Sequence, residues 1–284
     1  MFKKRKTVKL STHKVVGDSR RRQRDLVVVE EPLTVLWQGT DGPVERMAAT
    51  MRTPGEDNEL AAGLLFSEGL LHQRDELEVL SFCASGGPNE LNRLRAVLRF
   101  PHAEGQRRLA HRPSAGLPQS ACGLCSFDEL SNPKALLEWA ASQRPTEVAP
   151  CQPEEALLHR ALTHLHEQAP VFAATGASHA VVLVDPEGRL MSSAEDVGRH
   201  NACDKAIGKL LLESKRPGSF TLPSGVGLLV SSRLSFELAA KAVRAGAAWM
   251  ASVGAPTHLA VELASACQTP LLGFCSTERY NVYV

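Results

Sequence analysis

The sequence has no apolar run of membrane-spanning length, almost no net charge, no second Cys-x-x-Cys pair and no internal repeat. Each absence closes a class. Lacking a stretch of about 18 apolar residues, it offers no transmembrane helix. Asp25, Glu30 and Glu31 interrupt the run Val27, Val28, Val29, so no signal-peptide core follows the basic front. A cytoplasmic protein without membrane insertion is expected. A formal net charge of +1 over 284 residues argues against a general nucleic-acid binder. Seven cysteines in a chain this long do not form a secreted disulfide framework, and most read as small buried hydrophobes.

With 43% hydrophobic and 22% charged residues, the chain can bury a full core arranged as one large or two modest domains. The charge is uneven. Ten of the first 24 residues are Lys or Arg against one acid, Asp18, leaving 22 basic and 30 acidic residues in the remainder. Such a like-charge run reads as a solvated, disordered arm over residues 1–25, with docking to an acidic partner as the alternative.

Residues 26–121 form an N-terminal strand and helix subdomain. Edge strands are expected over 26–38, around Pro32. Thr53 as N-cap, Pro54 at the first helical position and Glu56 completing a capping box then start a helix running towards Gly69. Short strands return over 77–100. Residues 101–121, polar and without a period, read as a long mobile loop. Residues 122–170 carry the cysteine motif and two linking helices, near 127–143 and 153–168. From 171 to 284, strands near 171–174, 179–184, 227–230, 249–253 and 271–274 alternate with helices near 197–212, 236–245 and 258–266. That alternation predicts a largely parallel sheet covered on both faces.

Cys122-Gly123-Leu124-Cys125 precedes Ser126 and Glu129, a capping-box pattern, so the cysteines sit just ahead of a helix start. Unpaired amides and the helix dipole there favour the reactive thiolate. Structural zinc needs four ligands and would have to recruit Cys83, Cys151, His164 or His166. A thioredoxin-like redox pair should follow a strand, whereas this one follows Pro113, Ser114, Gly116 and Pro118. Sulfur carriage fits a thiolate-prone pair on a loop best. Two buried, inert thiols would need apolar cover that the flanks do not provide.

Ligands of open α/β sheets bind beyond the carboxyl ends of the strands. Three such segments share hydroxyls, free amides and, in two of them, an arginine: Ser231-Ser232-Arg233-Leu234-Ser235, Gly254-Ala255-Pro256-Thr257, and Cys275-Ser276-Thr277-Glu278-Arg279. Phosphate groups at helix starts require such a set. Glu195-Asp196-Val197-Gly198-Arg199-His200-Asn201 reads either as helix capping or as a ligand or proton-transfer cluster containing His200. His179 reads as structural.

With these residues in view the sequence resembles the formate dehydrogenase accessory sulfurtransferase family, FdhD, from about residue 30 to 284. The resemblance rests on Arg52-Thr53-Pro54, Glu59-Leu60-Ala61, Phe66-Ser67-Glu68-Gly69, the Cys122 to Cys125 motif, Thr175-Gly176, His179-Ala180, the Glu195 to Asn201 cluster, Asp204-Lys205, Ser231-Ser232-Arg233, Ser235-Phe236-Glu237, Ala255-Pro256-Thr257 and Asn281-Val282-Tyr283. It implies an α/β fold with a cytidine-deaminase-like three-layer core and largely parallel sheet, joined to a smaller α+β N-terminal subdomain, in a homodimer. It also implies a cysteine desulfurase as sulfur donor, Cys122 as persulfide carrier with Cys125 as helper, and formate dehydrogenase as the enzyme served. The ligand is then a molybdenum (or tungsten) bis(molybdopterin guanine dinucleotide), bound as substrate rather than resident cofactor. Phe274, Cys275, Ser276, Thr277, Glu278 and Arg279 would hold it with Ser231, Ser232, Arg233 and His200. Deamination is not implied, because the H-x-E and P-C-x-x-C zinc signature is absent. Ser126 stands where the family often has Gly, and Gly254 where it often has Ser. The alternatives are a non-catalytic molybdenum-cofactor chaperone and a zinc-stabilised interaction module.

Overall fold

The structure, a computed structural model, describes residues 5–83, 92–110 and 133–284. Cys122, Cys125 and the capping pattern of Ser126 and Glu129 lie outside the described residues. The architecture is mixed α/β, with three sheets among the described residues.

The first sheet is a hairpin of β1 (Thr7–Val16) and β2 (Ser19–Val28), so the expectation of a disordered arm is corrected for residues 7–25. The cause is local. Gly17, at φ +57°, opens the two-residue turn Gly17-Asp18, the position where a primed hairpin turn requires glycine, and β-branched residues line β1 and the inner end of β2.

The second sheet has the order β4-β3-β6-β5, from β3 (Glu31–Gln38), β4 (Glu45–Arg52), β5 (Leu77–Phe82) and β6 (Arg93–Leu98). Two-residue alternation buries Leu33, Val35 and Trp37 alongside Leu94, Ala96 and Leu98. Helix α1 (Asp57–Ser67) packs its Leu60, Ala61 and Leu65 into the same core. It starts later than the sequence predicts, after Glu56 at φ 56° and without a side-chain cap. Thr53 is taken up by a distant strand instead. Helix α2 (His102–Ala110) replaces the first part of the expected loop. Its polar composition conceals one flat contact: His102 stacks on Trp37 at 4.7 Å, and a Cβ on Gly105 would meet that indole at 2.5 Å.

The third sheet has the order β12-β11-β10-β9-β7-β8, from β7 (His179–Val184), β8 (Leu190–Asp196), β9 (Gly227–Val230), β10 (Met250–Ser252), β11 (Leu271–Gly273) and β12 (Asn281–Val282). Strands β9, β10 and β11 run parallel, whereas β7 is antiparallel to both neighbours and β12 is antiparallel to β11. The largely parallel sheet expected from the alternation is therefore mixed. Parallel neighbours need a long crossover, and the short links 185–189 and 274–280 permit only hairpin-like returns. The strand expected at 171–174 is helix α5 (Pro170–Thr175), whose amides at Val171 and Phe172 bond the Glu195 carboxylate at 2.9 and 2.8 Å.

Helices α6 (Arg199–Glu213), α7 (Phe236–Ala245), α8 (His258–Ala266) and α3 (Pro133–Ser142) cover one sheet face and share a continuous core with the second sheet. Helix α4 (Glu155–Glu167) covers Ala180, Val182, Val184 and Leu229 on the other face. Helices α1 and α6 touch backbone to backbone: a Cβ on Gly63 would lie 1.9 Å from the Asp204 carbonyl oxygen, and one on Gly208 1.9 Å from that of Glu59. Among the described residues no helix is long and apolar enough to cross a membrane.

One buried knot joins the two large sheets. Asp196, at the end of β8, stands 2.6 Å from Lys205 Nζ, both fully buried, and accepts bonds from Thr53 N, Gly198 N and Asn201 Nδ2 at 3.1, 2.8 and 3.0 Å. Lys205 also donates to the Thr53 carbonyl at 2.9 Å, and the Val197 amide donates to Thr53 Oγ1 at 3.0 Å. Replacing Lys205 with Met should cost about 3–5 kcal/mol, because it strands a buried carboxylate. Thermal unfolding checks this, and an unchanged midpoint would contradict the role assigned to the pair.

Candidate functional site

Strands β8, β9, β10 and β11 all end at one edge of the third sheet, and β7 begins there. The three segments singled out in the sequence follow β9, β10 and β11, and backbone bonds lace them together. Gly254 N donates to Ser232 O at 3.1 Å, Leu234 N to Ala255 O at 3.2 Å, Thr257 N to Leu234 O at 2.9 Å and Phe274 N to Gly254 O at 3.0 Å. Gly254 fits because a Cβ there would press on Ser232 O and Arg233 at 3.2 Å. The segments form one continuous surface.

Helices α6, α7 and α8 begin at this edge, and none has a side-chain cap bond at its N-cap, respectively Gly198, Ser235 and Thr257. Their first amides and dipoles therefore face the edge unneutralised by their own caps. Ser235 Oγ and Thr257 Oγ1 are buried and make no hydrogen bond among the described residues. Buried polar atoms are normally satisfied, so two orphans on adjacent caps point to an acceptor or donor from outside the described residues, a ligand among them.

The candidate residues separate into three groups. Arg233 and Arg279 are exposed at the edge. Ser276 holds Arg279 in place, its Oγ accepting from the Arg279 amide at 3.1 Å while its own amide donates to the Arg279 carbonyl at 2.9 Å. Phe274 is 44% exposed and held at φ 54°, a left-handed backbone that a bulky residue adopts only under constraint. Thr277 and Glu278 are exposed beside it. Ser231 and Ser232 are tied to the scaffold, Ser231 Oγ accepting from Ala180 N at 2.9 Å and Ser232 Oγ donating to Arg233 O at 3.0 Å. Cys275 is buried, and desolvation pushes its thiol up to about 11, so it is not a thiolate at neutral pH.

In the acidic cluster, Glu195 and Asp196 serve structure. Glu195 caps α5 and accepts from Ser178 Oγ at 2.8 Å, and Asp196 forms the knot with Lys205. His200 is different. Its Nε2 stands 2.7 Å from Glu237 Oε2, joining the first turns of α6 and α7 at the edge. Sequence reasoning missed that pairing, although both residues sit second in helices that follow strands. His179 belongs to the edge as well. Burial, then Arg199 and His200, hold its imidazole below the ordinary histidine range, so it is neutral at pH 7.

The core of a zinc reading, Cys122 and Cys125, lies outside the described residues. His164 bonds the Gly188 carbonyl at 3.0 Å and His166 is exposed, and among the described residues no three His, Cys, Asp or Glu side chains gather as a metal site.

Comparison with known proteins assigns this arrangement to a family. The family model described as FdhD/NarQ family matches residues 28–284. The chain belongs to the FdhD/NarQ family. Relatives named "Sulfur carrier protein FdhD" include one from Streptomyces avermitilis, 39% identical across 91% of this chain and 87% of that protein. Those from Anaeromyxobacter sp. strain K and Saccharolobus solfataricus are 38% and 34% identical, each across 92% of this chain, and 87% and 90% of their own lengths. The fold also matches a crystal structure described as a candidate formate dehydrogenase accessory protein from Desulfotalea psychrophila, with TM-score 0.70 over 98% of this chain and 96% of that one, at 21% identity.

Thiol reactivity tests the electrostatics. In a Cys122→Ser/Cys125→Ser variant at about pH 8, iodoacetamide should label exposed Cys151 and spare Cys275 and Cys203, the latter pushed up to about 12. Peptide mapping reads the result, and labelling of Cys275 as fast as Cys151 would contradict the buried, protonated state.

Proposed function

We propose that this FdhD/NarQ family member is a sulfur carrier that passes sulfur from a cysteine desulfurase, through Cys122, to the Mo-bis(molybdopterin guanine dinucleotide) destined for formate dehydrogenase. One observation carries the reading: three uncapped helix starts, two orphaned buried hydroxyls and two exposed arginines share one sheet edge. Relatives covering nine-tenths of the chain bear the sulfur-carrier name.

The edge suits a dinucleotide end of such a cargo. Helix-start amides and the guanidinium groups of Arg233 and Arg279 offer donors to pyrophosphate oxygens. The exposed ring of Phe274 offers a flat face to a guanine base. His200, Ser235 and Thr257 complete the polar wall.

The sulfur chemistry balances without an external oxidant. A Cys122 thiolate attacks the outer sulfur of the desulfurase persulfide; that S–S bond breaks, a new one forms on Cys122, and the desulfurase leaves as its thiolate. In delivery, the Cys125 thiolate attacks the inner sulfur, forming a Cys122–Cys125 disulfide and expelling hydrosulfide. Hydrosulfide exchanges with an oxo ligand of the metal, which leaves as hydroxide, and a cellular dithiol reduces the disulfide for the next cycle.

Intact-protein mass spectrometry after incubation with a cysteine desulfurase and cysteine tests carriage. A reductant-sensitive gain of one sulfur is expected, abolished in the Cys122→Ala/Cys125→Ala variant. If the wild-type chain gains no sulfur, the protein is a cofactor chaperone instead; an equal gain by the variant would move carriage to another cysteine. Replacing Arg279 with Ala should weaken guanosine diphosphate binding about tenfold or more, the worth of one lost charged hydrogen bond. Calorimetry reads the affinity, and an unchanged value would place the nucleotide elsewhere.

A further inference from the structure

The β1–β2 hairpin is not used by this reading, and almost all of it lies ahead of the residues matched by the family model. Its base is closed by Val29 N donating to Lys6 O at 2.8 Å and fastened to the body by Lys6 Nζ, 3.2 Å from Glu56. Ten-residue strands reach about 30 Å. At the far end a Cβ on Gly17 would meet nothing within 4 Å. An isolated two-stranded ribbon is marginally stable in water, so an arm this long is suited to resting on something.

The register sorts its side chains. His13 stands opposite Arg22 and Val15 opposite Arg20, with Arg24 and Lys9 further back on the same face; Lys14 stands opposite Arg21 on the other. The outer half thus carries Lys14, Arg20, Arg21 and Arg22, with Asp18 in the turn as its one acid. Val15, opposite Arg20, and Val16, opposite Ser19 on the other face, flank the turn and are 63% and 67% exposed, the barest large apolar side chains among the described residues.

We infer that the tip of this hairpin is a peripheral membrane contact, placing Val15 and Val16 among the headgroups of an anionic lipid surface while Lys14, Arg20, Arg21 and Arg22 pair with lipid phosphates and carboxylates. Next to the Gly17-Asp18 turn stand Val16, opposite Ser19, and Val15, opposite Arg20, with Lys14, Arg21 and Arg22 one and two rungs behind, an order from apolar to cationic that suits the interface of an anionic bilayer. A nucleic acid accounts for the cations and leaves the valines in water. The body behind the arm, residues 29–284 with 22 basic against 29 acidic residues, also repels a long polyanion and limits contact with a charged surface to the projecting tip.

Co-sedimentation of the full chain tests this, using phosphatidylcholine vesicles with and without about 30% phosphatidylserine. Sedimentation is expected with the anionic vesicles alone. It should fall at least about tenfold both in Arg20→Glu/Arg22→Glu and, at equal charge, in Val15→Ser/Val16→Ser. Both pairs lie outside the core, so unchanged circular dichroism should accompany the loss. Failure of the wild-type chain to sediment, retention by either variant, or preferential capture of a single-stranded oligonucleotide that the serine variant binds equally well would overturn the inference.

Discussion

The buried carboxylate of Asp196 is the point on which the rest of the molecule hangs. It ends strand β8, turns the chain through Gly198 into helix α6, and binds Lys205 one helical stretch later. Through Thr53 it also receives the chain leaving β4, so one buried carboxylate ties the second sheet to the third. A buried pair is costly unless its remaining valences are filled, and here backbone amides, a carbonyl and Asn201 fill them. A second pair, Lys241 with Asp204 at 2.7 Å, repeats the device between α6 and α7, with Ser67 of α1 donating to the same carboxylate. Motifs that look catalytic in the sequence thus hold helices at the positions that bring their N-termini to one edge.

That placement gives the edge its chemistry. Three helix starts without their own caps, beside hydroxyls left without bonds, form a concentration of donors that an anionic ligand would satisfy. The thiols behind it are held protonated by burial, as Cys275 and Cys203 show. In the function proposed above, sulfur carriage falls to the pair at 122 and 125, set apart by its helix-start sequence.

Much of this was legible in the sequence. Helices α7 and α8 have the expected bounds, since each follows a short apolar strand and a polar turn and α7 ends at Gly246 in the left-handed region. The strand-end segments were legible because each polar cluster follows a short apolar run. What failed to show depends on contacts distant in sequence. The flat packing of α2 on Trp37 is invisible to polarity, and the cap of α5 by Glu195 crosses 24 residues. The sheet's mixed direction rests on links too short for crossovers. The hairpin was missed for a different reason: its charge outweighed the Gly17-Asp18 turn signal.

Hydrogen–deuterium exchange with and without guanosine diphosphate tests the central claim, that the strand-end edge receives the nucleotide part of the cargo, most directly. The account predicts slowed exchange in the peptides covering residues 231–238, 254–260 and 274–279 together, with the β1–β2 hairpin and α4 unchanged. Protection confined to other surfaces, or none at saturating nucleotide, would contradict it.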